Sequence, residues 1–239
     1  MRRIITLTSF LIQDLARSIA GVVPLALSLA FGIIAFEYGM DQAQFITVAG
    51  IGMSAICLVT GLVLASRANR ASSFLIIARL HRRAELLAAL VLGSLLITAA
   101  LGFVVAVANL LAGRLTLDFP SALWILPTWL PLWLLAATLA LPLSGLVERG
   151  GSHLLGYALL AGLLIANDRR SFLVQHKLNW LARLVETILW PMSTLAGQAS
   201  AGIHGREYLL AWVLTFAYGW LLFMLAVSLF EDKDLLWSE

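Results

Sequence analysis

Ser66-Arg67-Ala68-Asn69-Arg70, followed after nine residues by Leu80-His81-Arg82-Arg83-Ala84-Glu85, is a long polar break near the middle of this 239-residue chain. Strongly apolar stretches lie on both sides of it. Five arginines (Arg67, Arg70, Arg79, Arg82, Arg83) stand there against one acid, Glu85. In a chain that crosses a membrane, a short loop of this kind stays on the cytoplasmic side and fixes topology. The connection is also long enough to hold a helix of its own.

Composition supports the membrane reading. Hydrophobic residues make up 61% of the chain and charged residues 12%, with a mean hydropathy of +0.95; soluble domains are about 45–50% apolar. The net charge of +3 comes from basic residues scattered between apolar segments. No aromatic-basic surface pattern accompanies them, so nucleic acid is not an expected partner. Cys57 is the single cysteine, which excludes an internal disulfide and a cysteine metal site. At the N-terminus, Gln13, Asp14 and Arg17 interrupt any signal-peptide core, and the segment is expected to be retained.

Outward from the basic break, charge-free windows recur at 18–36, 42–66, 86–113, 119–147, 150–167 and 208–230. A helix needs about 20 apolar residues to cross a hydrocarbon layer about 30 Å thick. The expected fold is therefore all-α, a single transmembrane domain over 1–239 with six transmembrane helices. The 18–36 window is short and borrows Arg17 and Glu37 as snorkelling ends. The 150–167 window opens on Gly150-Gly151-Ser152 and is expected to be tilted or broken. With the N-terminus inside, ten basic residues fall in cytoplasmic segments and six outside, five of those six within the long 168–207 segment. Both termini are expected in the cytoplasm.

Two amphipathic stretches lie outside the windows. Ile4, Leu7, Leu11 and Leu15 share one helical face within 4–19, with Gln13, Asp14 and Arg17 off it; this predicts an N-terminal interfacial helix. Val174, Leu178, Leu181, Val185 and Ile188 repeat at helical spacing opposite His176, Lys177, Asn179, Arg183 and Glu186. They predict an outer amphipathic or re-entrant helix, which Pro191 should stop or bend, followed by a loop of small residues at 197–202. Pro120, Pro127 and Pro131, with Trp124, Trp129 and Trp133, predict an outer aromatic belt leading into a bent fourth span.

Catalytic patterns are missing. The windows contain no formal charge, and the four histidines (81, 153, 176, 204) fall outside the spans or at their margins. There is no H-E-x-x-H, no paired aspartate and no phosphate-binding G-x-x-x-x-G-K-[S/T]. Ser144, in Pro142-Leu143-Ser144-Gly145, is expected to be a helix contact or exit. Intramembrane carboxylates of the kind a proton-coupled carrier uses are absent from the windows. The chain is therefore read as no enzyme, with no cofactor or metal of its own.

The layout resembles the membrane subunit of type-2 ATP-binding-cassette (ABC) exporters. The residues that carry the likeness are the 4–19 helix, the 67–83 connection, the 172–190 helix and the aromatic-then-charged tail Phe230-Glu231-Asp232-Lys233-Asp234-Leu235. Within the connection, Ser72-Ser73-Phe74-Leu75 followed by Arg82-Arg83-Ala84-Glu85-Leu86 is similar to the family's coupling-helix segment and basic entry into span three. The acids and proline that the family often carries there are not present. The resemblance implies a cytoplasmic coupling helix on which an ABC ATPase docks, ATP and Mg held by that partner, and a second permease chain, identical or related. It implies docking through Phe74 and Ile77, with Arg79, Arg82 and Arg83 on one face toward an acidic rim or membrane lipid phosphates. A bacterial or archaeal plasma membrane is the expected location. The alternative is a structural or assembly subunit of a larger membrane complex, in which the basic loop is incidental. The substrate is unknown; the apolar lining with Thr, Ser and aromatic groups suits lipids, hydrophobic peptides or drugs.

Overall fold

A computed structural model of the chain describes residues 2–38, 41–69, 83–115, 118–147, 179–202 and 205–231. Within these residues every extended element is helical: α1 (Arg2–Ala16), α2 (Val22–Tyr38), α3 (Gln42–Ala68), α4 (Arg83–Leu111), α5 (Phe119–Leu143), α6 (Asn179–Ser200) and α7 (Arg206–Glu231). Five are long and apolar enough to cross a membrane: α2 with the turn before it, α3, α4, most of α5, and α7. The chain is an integral membrane protein by this measure. The 150–167 window lies outside the described residues.

The N-terminal helix behaves as its periodicity dictates. Thr8, Leu11 and Leu15 are buried, in a core that Leu86, Leu87, Ala89 and Leu90 of α4 share, while Arg3, Gln13 and Arg17 are exposed. The Thr8 hydroxyl donates to Ile4 O within its own turn, which makes its burial inexpensive. The helix ends where the Ser18 amide and hydroxyl both donate to Leu15 O. A single 3₁₀ turn, Ile19–Gly21, then leads into α2. A Cβ at Gly21 would lie 2.6 Å from Leu15 O, so the corner requires glycine.

The central helix is α3. At its start, Asp41 and Gln44 form a reciprocal capping box. A wide π turn follows at Phe45–Ala49, before regular α-helix resumes at Gly50. Beyond it, Met53, Ile56, Cys57, Leu64 and Ala65 are buried among α4 and α5. Close approach to α5 depends on Gly61, where an added Cβ would lie 2.7 Å from Ala140 Cβ. At the far end of α4, Gly113 takes a left-handed φ of 67°, with the Arg114 amide closing on Asn109 O, a glycine-dependent helix stop. By contrast, α2 and α7 leave broad apolar faces open, through Leu25, Leu29 and Ile33 on one and Val213, Trp220 and Leu221 on the other. Such faces suit contact with hydrocarbon.

Two sequence expectations are corrected. The outer helix does not stop at Pro191, and 197–202 is not wholly loop: α6 runs through the proline to Ser200 and turns at Gly202, φ 69°. Tertiary packing overrides the local breaker, because Leu195 and Ala199 bury against Ile46, Leu132, Tyr208 and Ala211. The second correction concerns the aromatic belt. Trp124 is half exposed, but Trp129 and Trp133 are only 4% and 3% exposed. Indole is buried when its N–H finds a partner, and Trp129 Nε1 donates to Ile46 O at 2.9 Å. Trp133 departs from that rule: it is buried as a ring neighbour of Trp129, centroids 5.5 Å apart, with its own N–H left without a hydrogen-bond partner among the described residues.

The bundle has two distinct ends. Phe45, Trp129, Tyr208 and Trp212 mark one; Asp14, Arg67, Arg83 and Phe230 mark the other. The chain is at the arginine end at Gly145, whose carbonyl faces Asn69, and at the tryptophan end by Leu195.

Candidate partner-docking end of the bundle

The basic connection leaves α3 and enters α4 at the arginine end. Its residues 70–82 lie outside the described structure, and with them the candidate docking residues Phe74, Ile77, Arg79 and Arg82. The flanks are described, and each is fixed by an arginine to a different element.

On the departing side, Arg67 sits in the last turn of α3. Its Nε donates to Asp14 Oδ2 at 2.6 Å, with side-chain exposures of 13% for Arg67 and 40% for Asp14. The pair joins the end of α3 to the N-terminal helix. A charge-assisted bond that short is well formed, yet the open carboxylate limits its net contribution to about 0.5–1 kcal/mol. Its main effect is positional. Asn69 adds a long contact, Nδ2 to Gly145 O at 3.5 Å, reaching the chain just past α5.

On the arriving side, Arg83 is the first residue of α4. Its Nη1 donates to Phe230 O at 2.6 Å and to Glu231 O at 3.1 Å. The guanidinium also lies 5.6 Å from the centre of the fully buried Phe230 ring. The last carbonyls of a helix have no intrahelical donor and carry partial negative charge. Arg83 of α4 therefore caps the C-terminus of α7. Arg83, the candidate docking residue that falls within the described residues, thus holds the start of α4 to the end of α7.

The Asp14–Arg67 pair escaped sequence reasoning: the partners are 53 positions apart, and Asp14 reads only as a polar position off an apolar face. A carbonyl-capping role for Arg83 carries no sequence signal either, since the acceptor is backbone. The charged tail after Phe230 marked the neighbourhood without marking the contact.

The interior offers little polar chemistry. Buried Thr60, Thr138 and Thr215 donate to carbonyls four residues back, and Ser94 to one three back, at 2.7–2.8 Å. Their hydroxyls are thus used within their own helices. Cys57 is buried and its Sγ lies 3.4 Å from Trp133 O. Ser144 donates to Leu141 O at the exit of α5. Among the described residues, no three His, Cys, Asp or Glu side chains cluster as metal ligands would.

Comparisons with protein-family models, with curated proteins and with solved structures find no match to this chain.

Proposed function

We propose that the chain is the membrane permease subunit of an ABC exporter, moving its substrate with ATP hydrolysed by a separate cytoplasmic ATPase. The observation that carries this reading is the pair of arginine clamps. A connection held at one end to the N-terminal helix through Arg67, and at the other to the last span through Arg83, passes any displacement to the first helix and to the last. A loop that only set topology would need its charge and no such anchorage. In this reading Phe74 and Ile77 enter a groove of the ATPase while Arg79 and Arg82 face its acidic rim, and ATP and Mg belong to that partner. Arg83 links the docked loop to α7. The 150–167 window supplies a sixth span, bringing the chain back across the membrane, and both termini face the cytoplasm of a bacterial or archaeal cell. A second permease chain completes the transporter. With the hydroxyls of Thr60, Ser94, Thr138 and Thr215 engaged on helix carbonyls and that of Thr98 buried without a hydrogen-bond partner among the described residues, the surface left for a substrate is largely apolar, which fits lipids, hydrophobic peptides or drugs.

The test is a mild-detergent pull-down of the tagged protein from its native host, with ATPase activity assayed on the eluate. An ATP-binding subunit should co-elute and be released by the triple change Phe74→Ala, Arg79→Ala, Arg82→Ala. Co-elution with other membrane subunits and no ATPase would instead support the assembly-subunit reading.

A further inference from the structure

The tryptophan end carries a device that does not depend on the exporter reading. Pro127 and Pro131 stand one turn apart inside α5. In a regular helix the amide of residue 131 would close on the carbonyl of residue 127, but proline has no N–H. The Pro127 carbonyl is instead met from another helix, by Trp212 Nε1 of α7 at 3.0 Å. One turn earlier on α7, the Tyr208 hydroxyl lies 3.0 Å from that of Thr128. Both contacts join α5 to α7 at the level where the α5 backbone is interrupted.

The neighbouring helix is weakened at the same level. In α3 the π turn Phe45–Ala49 breaks the regular ladder, and such turns, like internal prolines, are places where helices bend. Its Ile46 carbonyl accepts the indole of Trp129, which sits between the two prolines of α5. A Cβ at Gly50 would lie 2.8 Å from that indole nitrogen, so glycine there keeps the two bending points in register. Beyond the bends, the free starts of α3 and α5 are tied together, since the Asp118 amide donates to Gln42 Oε1 at 3.0 Å. Facing them, the start of α7 is tied to α6 by Gln198 Nε2 and Glu207 Oε2, 2.7 Å apart, and by Leu195 and Ala199 packed beside Tyr208.

We propose that the tryptophan end is a hinged gate. One jaw is the start of α3 with the start of α5, bending at the π turn and at Pro127/Pro131. The other jaw is the start of α7 with the end of α6. Trp212 on the Pro127 carbonyl and Tyr208 on Thr128 are the polar latch between them, beside apolar contacts of Leu195 and Ala199 with Ile46 and Leu132 and of Trp124 with the Tyr208 ring.

Distances between spin labels, measured on the full-length protein in lipid nanodiscs, test the gate. One label replaces Leu123 on the first jaw and one replaces Leu209 on the second, both well exposed. A control pair at Ser66 and Leu229 reports the arginine end. Trp212→Phe removes the latch donor and should raise the long-distance population at the jaws about fivefold, the equivalent of one neutral hydrogen bond, with the control pair unchanged. Thr128→Val should shift the population in the same direction. Pro131→Ala returns a backbone donor to the Pro127 carbonyl within α5, so adding Trp212→Phe in that background should produce little further shift. The proposal fails if Trp212→Phe leaves the jaw distances unmoved. It also fails if both pairs broaden alike, or if Pro131→Ala leaves the Trp212→Phe shift intact.

Discussion

At the scale of single residues, close packing is decided by a few glycines, and two of them make opposite predictions. Gly61 faces α5, where an added Cβ would lie 2.7 Å from Ala140 Cβ, while at Gly93 the nearest atom would be the flexible Leu64 Cδ1 at 3.4 Å. Replacing either by alanine gains the same helix propensity, about 1 kcal/mol, so the difference between the two variants isolates the clash. Gly61→Ala is expected to lower stability by about 1–3 kcal/mol relative to Gly93→Ala. Thermal unfolding in detergent measures it; equal midpoints would mean that α3 and α5 do not approach this closely. Little at this scale was legible in the sequence. Gly50, Gly52, Gly61, Gly93 and Gly102 stand in the second and third windows, but which of them bears on a neighbour depends on rotation about each helix axis. The inward turn of Trp129 depends on Ile46, 83 residues away, and tryptophan beside proline reads from sequence as an interfacial anchor.

At the scale of elements, the membrane windows were legible because charge is excluded from hydrocarbon, and five helices begin and end within a few residues of them. The N-terminal helix was legible through its periodicity. The continuity of α6 was not, because Pro191 is a local signal and the packing of Leu195 and Ala199 is a tertiary one. The element-level prediction concerns Arg83, a side chain on α4 that completes the end of α7. Arg83→Ala should leave the last turn of α7 without its donor and accelerate amide hydrogen exchange there, with exchange in α3 unchanged. Lysine retains the charge but cannot reproduce the guanidinium's planar array of donors, so Arg83→Lys should restore protection only in part. Full protection in the alanine variant would show that Arg83 does not cap α7.

For the whole molecule, the two ends differ in chemistry. Arginine clamps fix one, and aromatic donors on interrupted backbone hold the other. This polarity was half legible: the basic break marked the arginine end, while the opposite end showed only as proline and tryptophan in sequence. Cysteine labelling in sealed, inside-out vesicles tests the orientation. Ser66→Cys at the exposed end of α3 should react with an impermeant maleimide, and Ala112→Cys just beyond α4, also exposed, should react only after permeabilisation; the reverse pattern would invert the topology. The most direct test of the central claim, that a cytoplasmic ATPase docks on the connection between α3 and α4, is photo-crosslinking in the native host. A photoreactive amino acid replaces Ile77, and the captured partner is identified by mass spectrometry. A crosslink to an ATP-binding subunit is expected, weakening when Arg79 and Arg82 are changed to alanine. A crosslink confined to other membrane subunits, with no ATPase captured, would contradict that claim.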